Sequence, residues 1–225
     1  MNRPARLLIA TLLFALSACA TVPFAPNKMT PVPPRTAAEL TAQQWSSGGG
    51  SLLIRQSALF ELKGMRVPIA GIMKLDRAAG SARLVGMNEM GVKLYDISVD
   101  RSTSVTNFVI PDLGRYPGFS DAVALSVRRI FLEPVPAAND ALTLTPTSYL
   151  LSRGSADAKL SFLFGGAEAQ LLEKSCSGTA CSWRVRYYQY QQQEGILFPG
   201  GIVLDDDQAG YRLTLWIESV EKTDE

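Results

Sequence analysis

Beyond Gly48-Gly49-Gly50 the chain breaks into short runs rich in branched and aromatic residues, separated by Gly, Pro, Asn and Asp. Such punctuation predicts an antiparallel β protein. Five runs come first, at 52–62, 66–75, 81–87, 92–100 and 104–110, and read as a meander. The period then changes. Over 119–132, Val123, Val127, Ile130 and Phe131 fall on one helical face, with Ser120 or Asp121 as the cap and Pro134 as the stop. Later runs alternate more clearly: Leu160, Phe162 and Phe164 share a face, as do Trp183, Val185 and Tyr187, and Tyr211, Leu213, Leu215 and Ile217. Against the tryptophan row stand Arg184, Arg186, Tyr188 and Tyr190, so this part of the sheet has one apolar face and one polar face rimmed by aromatics.

The N-terminus follows another logic. Arg3 and Arg6 precede an apolar run from Leu7 to Leu16, a basic region followed by a hydrophobic one of secretory size. Ten helical residues span roughly half of a ~30 Å hydrocarbon core, too short for a stable crossing. The run is expected to be removed after export. Its end, Leu16-Ser17-Ala18-Cys19, resembles the lipobox of bacterial lipoproteins, in which the cysteine takes up diacylglycerol, the leader is cut just before it and the new N-terminus is acylated. The resemblance implies a leader at 1–18 and a lipid on Cys19. Ala20, where aspartate is the usual retention residue for the inner membrane, implies the outer membrane. Residues 20–36 hold Pro23, Pro26, Pro31, Pro33 and Pro34, a density that favours an extended spacer. Residues 19–36 are thus expected to be an acylated tether, and 37–225 a single domain. That domain opens with a short helix over 37–45, for which Thr36 and Glu39 form a capping box.

Composition narrows the chemistry. The 22 basic and 21 acidic residues leave a net charge of +1, which argues against nucleic acid as a partner. The chain contains no histidine, which removes Ser-His-Asp and Cys-His nucleophile arrangements and His-containing zinc sites together. The serines lack a nucleophile elbow, the Gly pairs lack the Lys-Ser/Thr of a phosphate loop, and Glu61, Asp76, Asp96 and Glu133 show no acid/base spacing. No catalytic residue, metal site or cofactor is expected. Asp205-Asp206-Asp207 reads as a solvated hairpin turn rather than a calcium cluster. With Cys19 consumed by lipid, Cys176 and Cys181 remain as a pair around the turn residues Ser177 to Ala180, and a disulfide is expected. Met90, in the turn Met87-Asn88-Glu89-Met90-Gly91, is expected from local sequence to fold back onto the sheet edge.

Taken in order, a lipobox, a Pro-rich tether, a run of strands, a helix and a final strand group containing Trp183-x-Val185-x-Tyr187-x-x-Tyr190 resemble the LolB-like lipoprotein receptors of the LolA/LolB superfamily. The closing segment adds to this: Pro199 precedes Ile202-Val203-Leu204, a turn, and Tyr211-Arg212-Leu213-Thr214-Leu215-Trp216-Ile217. The resemblance covers about 52–220. It implies a strongly curved antiparallel half-barrel with covering helices and an apolar cavity for acyl chains. On that reading Leu160, Phe162, Phe164, Trp183, Val185, Leu213, Leu215 and Ile217 line the cavity. Asn88-Glu89-Met90-Gly91 corresponds to the receptors' Asn-Pro-Leu-Gly loop, with Met90 at the place of the leucine and Glu89 at that of the proline, so the resemblance implies a membrane-insertion loop of Asn88, Met90 and Gly91. The implied role is non-enzymatic: a monomer anchored in the outer membrane, facing the periplasm, that binds or transfers acyl chains or lipoproteins delivered by a LolA-like carrier. A structural accessory that binds envelope proteins through its sheet edge or surface is the second reading.

Overall fold

The computed structural model describes residues 22–42, 44–46 and 48–223; the leader, Cys19 and Ala20 lie outside them. Twelve strands form one sheet: β1 Ser51–Leu62, β2 Met65–Asp76, β3 Ser81–Met87, β4 Lys93–Val99, β5 Ser104–Val109, β6 Ala141–Leu144, β7 Ser148–Gly154, β8 Lys159–Gly165, β9 Gln170–Ser177, β10 Ser182–Gln193, β11 Ile196–Asp206 and β12 Tyr211–Thr223. Their order is β5-β4-β3-β2-β1-β12-β11-β10-β9-β8-β7-β6, antiparallel throughout. Two meanders are therefore joined where β1 pairs with β12, from Ser51 opposite Thr223 to Leu62 opposite Tyr211. The sheet curves without closing, which leaves β5 and β6 as its edges and makes it an open half-barrel.

Period-2 alternation sorts the side chains between the two faces. Leu52, Ile54, Met73, Leu75, Leu84, Ile97, Phe162, Phe164, Val185, Ile202 and Leu204 all enter one continuous core on the concave side. Tyr95 also belongs to it, and its ring lies flat across Gly86, where a Cβ would come within 2.3 Å of ring carbons. Only glycine admits that contact. The phase shifts locally. Gln189 has φ 53°, and past it Tyr190 turns to the concave core while Tyr188 faces the convex side. The expected Tyr188 and Tyr190 row is thus split at the left-handed Gln189, although the register with β11 is the same on both sides of it, Tyr188 opposite Gly201 and Tyr190 opposite Pro199.

The N-terminal helix is short: α1 spans Ala37–Thr41, with the expected box in place, Glu39 N donating to Thr36 Oγ1 and Thr36 N to the Glu39 carboxylate. The segment before it differs from the free spacer that its prolines predict. Residues 22–36 lie on the fold. Phe24 is buried on the convex face, Asn27 Nδ2 donates to the Tyr187 carbonyl at 2.7 Å, Val32 N donates to Pro146 O at 3.2 Å, and Tyr149 Oη donates to Pro33 O. An extended, proline-stiffened chain loses little entropy on docking, which is why the same composition serves as a strap as readily as a spacer.

Candidate functional site

Residues 110–140 connect one edge of the sheet to the other. They contain α2 Pro111–Gly114, α3 Phe119–Val127 and a π turn at Arg128–Leu132. The expected helix over 119–132 is present, but its last turn widens to i→i+5 bonding, with Glu133 N donating to Arg128 O at 2.9 Å. Its start also differs. Gly118, in the left-handed region at φ 79°, is the N-cap and no side chain caps it, so neither Ser120 nor Asp121 plays that part. The apolar face is as read: Val127, Ile130, Phe131 and Leu132 are buried, and Val123 packs beside them.

This segment plugs the concave face, and polar groups tie it there. Arg129 and Asp206 form an ion pair at 2.5 Å that is almost wholly out of water, with the guanidinium 5.1 Å from the centre of the Trp183 ring. Ser126 Oγ and Tyr211 Oη are 2.8 Å apart. A helix that ends inside a core leaves carbonyls in need of donors. Here the Ile130 carbonyl accepts from Tyr187 Oη at 2.8 Å and from Lys174 Nζ at 3.3 Å. A cation at a helix C-terminus is favoured by the helix dipole. Burial nevertheless pulls the Lys174 ammonium down to about 7, with the Glu133 carboxylate opposing the shift. The Tyr187 and Tyr211 hydroxyls are raised by burial.

Phe162, Phe164 and Val185 have no exposed surface; Trp183, Leu215 and Ile217 are buried; Leu160 and Leu213 are partly so. The structure brings all eight together, beneath the plug. They form its packed seat, not the wall of an open cavity, and none borders the larger surface hollows. The acidic run is also placed differently from its reading as a solvated turn. Asp205 and Asp206 belong to β11; Asp206 points inward, and Asp205 binds Arg186 at 2.5 Å and Arg212 at 2.6 Å. The turn proper begins at Asp207. Met90 projects from the β3–β4 turn with 83% of its surface exposed, against the local expectation that it folds back. Asn88 shapes that turn, its Oδ1 accepting from Met90 N at 3.0 Å and Val92 N at 2.9 Å, and Gly91 takes φ 78°. Cys176 and Cys181 are joined across the β9–β10 turn, with Cα atoms 5.7 Å apart.

A LolA superfamily protein from Nitrosomonas europaea superposes with a TM-score of 0.54 at 9% identity, over 85% of this chain and 96% of that one. The chain has the fold of a LolA superfamily protein. A protein domain from Vibrio parahaemolyticus, described as outer membrane lipoprotein-sorting, shares the LolA-like fold at a TM-score of 0.51, 9% identity, and 83% and 90% coverage. A DUF1329 family protein from Desulfovibrio piger gives 0.50, 6%, 83% and 91%. No protein-family model matches the sequence, and no curated protein matches it. Sequence reasoning missed the residues that hold the plug, Arg129, Lys174 and Asp206. Their signal was present: Asp206 is in phase with Ile202 and Leu204, and Lys174 with Cys176.

Proposed function

We propose that this is a LolB-like lipoprotein, anchored in the outer membrane through Cys19, that shelters an acyl chain against its concave sheet when the plug gives way. The observation that carries the reading is a continuous apolar wall under one segment that is fastened by Arg129, Lys174, Tyr187 and Tyr211. Displacing the cover separates Arg129 from Asp206 and Lys174 from the Ile130 carbonyl, a cost of several kcal/mol that the cargo's own burial has to exceed. An acyl chain that takes the plug's place buries about 0.8 kcal/mol per CH₂, roughly 10 kcal/mol for a dozen methylenes. Transfer from that seat into a bilayer is close to neutral, so uptake and release need no chemical step. The cargo is an acyl chain, a lipoprotein or a similar molecule, handed over by a LolA-like periplasmic carrier to a monomer, and Met90 on its turn enters the bilayer during release.

Two anchored acyl chains hold a protein firmly on a membrane where one does not. Cys19→Ala is therefore expected to move the chain from the membrane fraction to the soluble or unprocessed one and to abolish its lipid mass increment; recovery in membranes with a normal increment contradicts the anchor. An organic extract of the wild-type protein is expected to contain noncovalent lipid, and a lipid-free extract contradicts the carrier reading. One observation favours the second reading, an assembly accessory: β5 and β6 are open, exposed edges whose free backbone groups can accept a partner's strand.

A further inference from the structure

We infer that the docked strap at residues 22–36 holds the β1–β2 end of the sheet against the bilayer, so that the Met65 hairpin is a membrane-contact surface. This rests on acylation of Cys19. The strap is held at a defined place. The Phe24 ring lies 5.5 Å from that of Tyr188 and 5.6 Å from that of Trp216, in the space over Gly201, where a Cβ would come within 2.5 Å of it. Asn27 holds the Tyr187 carbonyl, one residue past the last β9 partner of β10 at Arg186. Val22 and Pro23 lie over a convex hollow with Leu59, Arg66, Arg212 and Trp216, beside the β1–β2 turn. Two residues, Ala20 and Thr21, lie between Cys19 and Val22, which makes three steps along the chain, and fully extended chain spans at most ~3.6 Å per step. The lipid attachment point thus falls within about 11 Å of Val22, whatever path those residues take.

The two ends of the sheet differ in the way this orientation requires. Near the strap, the β3–β4 turn carries Met90 and Val92, 83% and 54% exposed, and β2 opens on Met65, 43% exposed, whereas the turns 155–158, 178–181 and 207–210 of this end carry no large apolar residue. At the opposite end the turns are 77–80, 100–103, 145–147, 166–169 and 194–195, and none contains a Val, Leu, Ile, Met, Phe, Tyr or Trp, although Val105 and Leu144 are exposed there on the edge strands β5 and β6. Flexible apolar methionines on turns beside the anchor suit the headgroup boundary, while the polar turns suit water. The open plug face and both sheet edges stay accessible in this pose.

The test uses the mature, acylated protein in phosphatidylethanolamine–phosphatidylglycerol vesicles that contain doxyl-labelled lipid. Met65→Cys, near the anchor, and Ser102→Cys, at the far end, are each labelled with NBD, while mass spectrometry reports the lipid on Cys19. Quenching at 65 is expected to be several-fold stronger than at 102. A flexible Gly-Ser stretch inserted between Thr21 and Val22 leaves the Phe24 socket intact and is expected to shrink that contrast. Equal quenching at both positions in acylated protein overturns the orientation. A contrast that survives the longer linker overturns the strap as its cause. Protein without a lipid increment overturns the anchor itself, and the inference with it.

Discussion

Asp206→Ala is expected to lower the unfolding free energy by about 3–5 kcal/mol, the range for removing one partner of a buried ion pair. The carboxylate is 2% exposed and holds Arg129 while accepting from Ala209 N at 3.0 Å. Its loss leaves a guanidinium against Trp183 with no counter-charge and an orphaned turn amide. Arg129→Met combined with Asp206→Leu is expected to recover most of the loss, because paired apolar side chains of similar volume are often neutral or better. Denaturant midpoints at constant m-value decide this. Arg212→Ala removes a partly exposed pair and is expected to cost much less.

The second large effect has the opposite sign. Lys174 has no exposed surface, and burial is the main cause of its fall from 10.5 to about 7. Between those values the unfolded chain binds a proton that the folded chain does not. Stability contributed at this site therefore rises as pH goes from 7 toward 10.5, and the full penalty applies below 7. The difference corresponds to about 5 kcal/mol. Lys174→Met is expected to stabilise the protein most at pH 6 and progressively less toward pH 9.5, while Tyr187 keeps the Ile130 carbonyl satisfied. Urea titrations at pH 6, 7.5 and 9 measure this. Equal stabilisation at all three places the lysine in water instead.

The strands were legible because both faces of a curved sheet obey period 2, and the inner rows from Phe162 to Ile217 kept their phase. Legibility stopped where phase breaks, as at the left-handed Gln189 and on β9, where Leu172 is the extra residue between the partners of Leu163 and Phe164. It also stopped at buried charge. A lysine or aspartate on a strand is most often solvated, so local pattern pointed away from Lys174 and Asp206, and only the inward plug explains them. The plug itself was visible as a helix with one apolar face. That it fills the cavity was not, since the space between sheet and cover depends on curvature, which alternation does not encode. The strap went unread for a related reason: proline density describes stiffness, while Phe24 docks through the shape of a socket built by Tyr188, Gly201 and Trp216.

The account stands on the plug giving way to a hydrocarbon chain. Ultraviolet crosslinking of the full-length protein with a diazirine analogue of palmitic acid, followed by peptide mass spectrometry, tests this most directly. Adducts on the concave residues Phe162, Val185 and Leu215, competed by unlabelled palmitic acid, are the expected result. Adducts confined to the convex patch at Phe24 and Trp216, or none that palmitic acid competes, would contradict it.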